Sequence, residues 1–413
     1  MKRPITGLRR QRLLQTILIV LLMTLMAAMA LSSQVVTALE GPPRESLDSL
    51  INGPGAEILP IISVDGRTLY FDRKFDSSNL GGSEDEDDIW VSVRSKEGGW
   101  LPARNIGAPL NGPGSSTLFW VSADGDQALV HSSRIPGTGL GLSQRVGDVW
   151  QPLRPIIIDD LSSLGETYYA TITPDMRRII VALAPDSTNP ENLDLYIATL
   201  ASPGLQRWSR PIPLSSVINT GEFEGAPFMA PDNRTLYFSS SRIGGYGKSD
   251  IYMSRRIGES WGIWSEPVNL GPRVNTPGLE ESFSMPAFDA WGYVSSYGPY
   301  GRTDIFRVRV ADDMLPEKAV IVRGRFAIGE RGVVGLVRAI REQDGVEVAS
   351  ITSGSDGSFT LILLPGNLYN VVGWSPESGE AISRVDARAI PQGALDCILR
   401  GAVERDPNGT GSP

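Results

Sequence analysis

A period of about 56 residues governs this chain. Four segments open on an Asp turn followed by an apolar strand: Ser63-Val-Asp-Gly-Arg-Thr-Leu-Tyr-Phe71, Ser122-Ala-Asp-Gly-Asp-Gln-Ala-Leu-Val130, Thr173-Pro-Asp-Met-Arg-Arg-Ile-Ile-Val181 and Ala230-Pro-Asp-Asn-Arg-Thr-Leu-Tyr-Phe238. A fifth, degenerate copy is Phe288-Asp-Ala-Trp-Gly-Tyr-Val294. The aspartates at 65, 124, 175, 232 and 289 are spaced by 59, 51, 57 and 57 residues. Self-similarity at such a period points to a solenoid or a propeller, in which each unit buries its faces against its neighbours.

Two further landmarks recur in each unit. The first is Asp, apolar, aromatic: Asp88-Ile-Trp90, Asp194-Leu-Tyr196, Asp250-Ile-Tyr252 and Asp304-Ile-Phe306, with Gly139-Leu-Gly in its place in the second copy. The other is Trp with Pro two or three residues on, at Trp100/Pro102, Trp150/Pro152, Trp208/Pro211 and Trp264/Pro267. Proline has no N–H for a ladder, so this element belongs to an outer edge strand. Strand, Asp turn, strand, Gly-rich loop, strand, hairpin and short edge strand make a four-stranded propeller blade.

A Leu/Ile-x4-Asn element trails the blades at Ile106…Asn111, Leu214…Asn219 and Leu270…Asn275, and a copy at Leu47…Asn52 precedes the first one. The fifth copy lacks its outer strand. Residues 46–52 are therefore expected to supply it, which predicts five blades closed by the N-terminal segment. Six blades is the alternative, if 307–318 forms further strands.

The fourth copy, Pro231-Asp-Asn-Arg-Thr-Leu-Tyr-Phe-Ser-Ser-Ser-Arg-Ile-Gly-Gly-Tyr-Gly-Lys-Ser-Asp-Ile-Tyr252 with Trp264-Ser-Glu-Pro267 and Asn269-Leu-Gly271, resembles the TolB-type, WD-like propeller repeat. It resembles above all the version found beside OmpA-type domains in bacterial envelope proteins. The first and fifth copies match less closely, and the second and third are worn. The resemblance covers 46–310 and implies a partner-binding propeller. Beyond a polar joint at 311–318 the composition shifts to Val, Ile and Gly, with strands expected at 319–325, 333–340, 346–352, 359–364, 367–374 and 381–387. Asp356-Gly-Ser-Phe359 and Leu364-Pro-Gly-Asn-Leu-Tyr369 make hairpin turns. This stretch, 319–400, resembles the carboxypeptidase regulatory-like, transthyretin-like sandwich, which implies an adhesive or spacing module without catalytic residues. The fold class expected is thus all-β, a propeller followed by a small β-sandwich, with a disordered tail at 401–413.

The first twelve residues carry Lys2, Arg3, Arg9, Arg10 and Arg12 and no acid, ahead of the apolar run LLQTILIVLLMTLMAAMAL at 13–31. A basic flank before such a run is an export signal, and its length also suits a membrane anchor. Residues 1–38 are read as signal peptide or signal anchor, placing the rest in the periplasm or cell envelope. The formal charge is −9, from 38 Lys and Arg against 47 Asp and Glu; the first twelve residues contribute +5, leaving −14 beyond them. Nucleic acid is an unsuitable partner for that surface. With one His (His131), one Cys (Cys397) and five Lys, the chain has no internal disulfide or CxxC site. A catalytic triad or zinc site would have to use His131. No cofactor and no metal are expected.

Candidate site residues come from the repeat. Counting eight back from each Asp turn gives Glu57, Ser116, Thr167, Glu224 and Glu281, with Glu166 and Glu280 one position off. A ring of carboxylates at Glu57, Glu166, Glu224 and Glu281, at the mouth of the channel, could bind a cation, a basic peptide or a sugar. Alternatively each Glu bonds backbone amides and holds the ring together. Glu84-Asp-Glu-Asp-Asp88 lacks the alternation of a calcium loop and reads as a solvated loop. Trp261, Trp291, Tyr297 and Tyr300 fall outside the repeat and offer either an exposed aromatic patch or packing between blades. The function expected is a non-enzymatic envelope scaffold that binds outer-membrane proteins or peptide segments. The alternative is a carbohydrate-binding or glycoside hydrolase-like propeller, which needs two carboxylates flanking the scissile bond.

Overall fold

The computed structural model of the protein describes residues 44–185, 188–202, 206–297, 301–389 and 394–401. The export segment, Tyr300 and 402–413 of the tail lie outside the described residues. The chain falls into two compact units, 1–45 and 46–413. Of the first only Arg44 and Glu45 are described, as the start of a three-residue strand, Arg44–Ser46.

The protein is all-β, with isolated 3₁₀ turns between strands. Ala56–Ile62, Thr68–Lys74, Asp87–Val93 and Arg104–Asn105 form a first sheet in that order. Ser116–Val121, Gln127–Ser132, Leu140–Val146 and Arg154–Pro155 form a second. In the third, Glu166–Ile172, Arg178–Ala184 and Asp194–Ser202 are followed by Arg207–Trp208 and Ile157–Ile158. Glu224–Met229, Thr235–Ser240, Asp250–Arg255 and Val268–Asn269 make the fourth, and Glu280–Ser284, Trp291–Tyr297 and Thr303–Arg309 lie side by side in the fifth. The first strand of each sheet touches the first strand of the next, and that of the fifth touches that of the first.

The cores follow the same cycle. Tyr70, Ile89 and Leu118 pack the first sheet on the second, and Leu129, Ile172 and Trp208 the second on the third. Ile180, Phe238 and Trp264 join the third to the fourth, Tyr237, Phe283 and Val294 the fourth to the fifth. Ile62, Phe71, Trp90, Tyr293 and Ile305 return the fifth to the first. Burial of large apolar side chains at about 25 cal/mol per Å² drives each joint, and the period of the sequence is the period of these joints.

The repeated polar residues have identifiable tasks. Each turn aspartate accepts the N–H two residues on through Oδ1: Asp65 from Arg67 at 3.1 Å, Asp124 from Asp126 at 2.9 Å, Asp175 from Arg177 at 3.1 Å, Asp232 from Arg234 at 2.9 Å and Asp289 from Trp291 at 3.3 Å. This is an Asx turn. The asparagine of the Leu/Ile-x4-Asn element substitutes for a strand neighbour. Asn111 bonds both N–H and C=O of Ile89, Asn219 those of Leu195 and Asn275 those of Ile251, all at 2.8–3.0 Å. Asn52 makes the same pair of bonds to Ile305, 253 residues away, and Leu47 N–H donates to Ile305 O at 3.2 Å.

The polar joint is fastened to the fourth sheet. Tyr237 Oη donates to Met314 O at 2.6 Å, Arg255 to Asp313 O and Leu315 O, and Glu317 N–H to Asp232 Oδ2 at 2.9 Å. Two more sheets follow. In one, Val320–Ile328 lies between Ser358–Leu363 and Leu395–Arg400, the last pair parallel; the other runs Glu347–Thr352, Leu336–Arg341, Asn367–Ser375, Gly379–Ala387. They enclose one core that includes Phe326, Val337, Phe359, Val371 and Leu399. The strand Leu395–Arg400, which carries Cys397, is absent from the sequence expectation.

Candidate functional site

A cavity of about 1080 Å³ opens among the inner strands at the ends that carry the Gly-rich loops. Its lining comes from the first sheet (Leu59, Lys74, Asp87), the second (Thr117, Phe119, His131), the third (Glu166, Tyr168, Tyr169) and the fifth (Glu281). No residue of the fourth sheet lines it. That volume is at the upper end of small-molecule pockets, roughly 300–1,000 Å³.

A charged cluster is central to the lining. Lys74 Nζ contacts Asp87 at 3.1 Å, and Ser115 Oγ lies 3.3 Å from the same carboxylate. Tyr169 Oη donates to Glu281 Oε1 at 3.3 Å. Burial raises the Glu281 carboxyl above its ordinary value; Lys74 and the Tyr169 bond lower it and the Asp87 charge raises it. Burial likewise raises Asp87, opposed by Lys74. Burial alone would lower the Lys74 ammonium, yet Asp87, Glu86 and Glu281 outweigh it and the net shift is upward. His131 is pushed down by burial, partly offset by Asp87, which favours the neutral imidazole. Carboxyls held above their ordinary values by burial, beside a fixed ammonium, are suited to general acid–base work.

In the fifth sheet the structural equivalent of Glu57 and Glu224 is Glu280, one position before the Glu281 that the count gives. Glu57 Oε1 accepts Gly53 N–H at 2.9 Å, Glu224 Oε2 accepts Thr220 N–H at 2.7 Å and Glu280 Oε2 accepts Thr276 N–H at 2.8 Å. These three are the equivalent residues, all fully buried. Glu224 also takes Thr220 Oγ1, Ser240 Oγ and Arg242, and Glu57 is paired with Arg73 Nε at 2.8 Å. Burial nonetheless raises Glu57 to about 7, against the Gly53 and Arg73 contributions. Glu281 sits instead at the bulge between Glu280 and Ser282, and that displacement delivers its carboxyl to the cavity. Glu166 is exposed at the rim, bonded by Tyr168 Oη at 3.3 Å. Of the four predicted carboxylates the structure thus brings Glu166 and Glu281 to one cavity and uses Glu57 and Glu224 to hold inner strands to their preceding loops.

Lys74, Asp87, His131 and Tyr169 are absent from the sequence expectation. Their signal is departure from the repeat rather than conformity to it. Gly139 stands where other copies have the landmark Asp; its φ is +71° and a Cβ there would lie 2.3 Å from His131 Nε2. The lost landmark is what gives His131 its room. The acid run 84–88 is not the solvated loop expected: Asp85, Asp87 and Asp88 are buried. Asp88 Oδ2 accepts Leu80 N–H and Asn105 Nδ2, leaving Asp87 for the cavity. Behind it, fully buried Asp72 gives one oxygen to Leu118 N–H; its other oxygen has no hydrogen-bond partner among the described residues, and burial holds it far above the carboxylate range. The off-repeat aromatics do not form one patch. Trp261 packs on Trp264 under Arg178 and Arg256, Trp291 lies under Arg307, and Tyr297 is exposed.

No protein-family model and no curated protein matches the sequence. Solved structures do. The chain is similar to TolB from Acinetobacter baumannii (14% identity, 63% of this chain and 56% of that one, TM-score 0.37). It is also similar to an exo-β-1,3-galactanase from Phanerochaete chrysosporium (9%, 85% and 98%, TM-score 0.38) and to an α-L-arabinofuranosidase from Lactobacillus brevis (13%, 66% and 95%, TM-score 0.34). The chain spans little more than half the length of the TolB structure. These likenesses concern the fold, which is propeller-like. They correct the expectation of a non-enzymatic scaffold: glycoside hydrolases are among the solved structures that share this fold, and neither the scaffold reading nor the exclusion of enzyme activity is retained.

Proposed function

We propose that the cavity is a carbohydrate-active site on a five-bladed propeller, in which Glu281 donates a proton to the leaving oxygen of a glycoside and Asp87, held by Lys74, acts as its carboxylate partner. The observation that carries this reading is the placing of buried Asp87, half-buried Glu281 and the Lys74 ammonium in one cavity of about 1080 Å³, both carboxyls raised above their ordinary values by burial. Glycoside hydrolysis needs such a pair, one carboxyl protonated and one ionised. Tyr168, Tyr169 and Phe119 supply ring faces of the kind on which sugars stack. Three carboxyls against one Lys favour neutral or amino sugars over uronic acids.

Five blades rather than six is supported by Asn52, which repeats on Ile305 the bonds that Asn111, Asn219 and Asn275 make within the chain's other copies. We read 46–310 as a TolB-type propeller and 319–400 as a regulatory-like sandwich on the motifs quoted above. Export to the cell envelope, with or without an anchor at 13–31, rests on the basic flank and apolar run; among the described residues no helix is long and apolar enough to cross a membrane.

The test is hydrolysis of a panel of 4-nitrophenyl glycosides (galactose, arabinose, glucose, glucosamine) by the full chain. Turnover of at least one, falling 10²-fold or more in Asp87→Asn and in Glu281→Gln, is expected. No turnover together with no oligosaccharide binding overturns the reading.

A further inference from the structure

Three voids succeed one another along the same inner strands. The open cavity is lined by Leu59, Thr117, Tyr169 and Glu281; next comes a narrow space of about 30 Å³ among Leu59, Ile61, Phe119, Tyr169, Phe228 and Phe283. Beyond it is a space of about 60 Å³ lined by Ile62, Trp120, Thr171, Met229 and Met285. Each strand contributes in the same order, so the voids lie on one axis. The narrow space is walled by aromatic and aliphatic side chains, which offer few hydrogen-bond partners to a hydrated chain passing through.

The last space is bounded on its outer side by the C-terminal sheets, through Ile351, Thr360 and Ile362. Met176, at the turn of the third sheet, packs against the core of those sheets. Arg177 pairs with Glu347 at 2.6 Å and Arg323 with Asp65 at 3.6 Å, each joining an Asp-turn residue to the C-terminal sheets. The joint bonded to the fourth sheet holds the polypeptide at that same side.

We infer that the cavity is a blind well, floored by the aromatic narrowing at Phe119, Phe228 and Phe283 with the C-terminal sheets as a stopper behind it, so that it takes the terminal units of a glycan chain and not an internal segment. This rests on the carbohydrate reading and deepens it. A passage open at both ends, or a groove, gains contacts with every added sugar. A blind well stops gaining once its depth is filled, and any group added to the inserted end meets the aromatic floor of Phe119 and Phe228.

The probes are gluco-, galacto-, arabino- and glucosamine oligosaccharides of two to six units, free or with both terminal residues O-methylated, titrated calorimetrically into the full chain. For the series that binds, affinity is expected to level off by three or four units, and terminal methylation to cost tenfold or more. Affinity that still climbs at six units, or that ignores terminal methylation, overturns the inference while leaving the saccharide site standing. If no series binds, the carbohydrate reading fails. The stopper is then judged separately, by a disulfide between Met176→Cys and Ile351→Cys: rapid crosslinking under mild oxidation supports the seated arrangement, and its absence with folding intact overturns it.

Discussion

The fourth sheet and the first three are built from the same repeat and do different work. The fourth keeps every landmark: Asp232 makes its turn, Asp250 caps its loop through Tyr246, Gly247 and Asn269, Asn275 completes its third strand, and Glu224 ties down its inner strand. All of these polar groups are engaged with the fold, and the sheet gives nothing to the cavity. The cavity is lined instead by residues that occur once: His131 against Gly139, where the second copy has lost its landmark, Asp87 in a buried acid run, and Glu281 one position after the equivalent of Glu224. A residue that recurs five times answers a need that recurs five times, which is structural. Chemistry needs one site, so it falls on residues that occur once.

That contrast breaks first if the two classes of carboxyl behave alike. Asp87→Asn and Glu281→Gln should remove activity by 10²-fold or more while thermal unfolding shifts little. Glu224→Ala should do the reverse. It strands Arg242 and the Thr220 and Ser240 donors in a buried place, for a loss of about 3–5 kcal/mol in denaturant titrations, with turnover per folded molecule kept. Next in size are the closing asparagines. Asn52→Ala and Asn275→Ala each leave one backbone N–H, of Ile305 or Ile251, without its partner, while the C=O keeps the N–H of Leu47 or Leu270, at about 1–2 kcal/mol, and equal losses would place Asn52 in the same structural class as its repeat mates.

Two smaller effects sharpen the comparison. Glu57 holds its proton to about 7 in the folded protein, above the ordinary value of 4.5, so the folded state binds more protons between those values. Its contribution to stability is therefore fully present below pH 4.5 and falls as pH rises towards 7. Tm measured from pH 4.5 to 8 should decline less steeply in Glu57→Gln. Finally, Gly139→Ala should cost about 1 kcal/mol through its left-handed backbone and displace His131. A shift in the imidazole NMR titration without loss of fold would confirm that the missing landmark makes room for the cavity.

Much of the fold is legible in the sequence because it rests on local rules used repeatedly. Asx turns need an Asp two residues before a free N–H, edge strands accept Pro, and the spacing of both is visible without coordinates. The site is less legible. Counting eight residues back finds Glu57, Glu224 and Glu281 alike but cannot see that Glu281 alone of the three reaches the cavity, since a bulge alters which face a side chain takes without altering composition. Nor can it see that Asp87, one of five consecutive acids, is the one that meets Lys74 across a strand pair, Lys74 with Asp87 in register.

By itself, then, the sequence determined the all-β class, the 56-residue unit and the turn and edge residues within it, because each depends on neighbours a few positions away. Only the tertiary structure decided which carboxyls share a cavity and that the C-terminal sheets sit across one end of the inner strands. Those facts depend on residues brought together from 50 to 250 positions apart, where burial and unpaired charge, rather than local propensity, set protonation and contact.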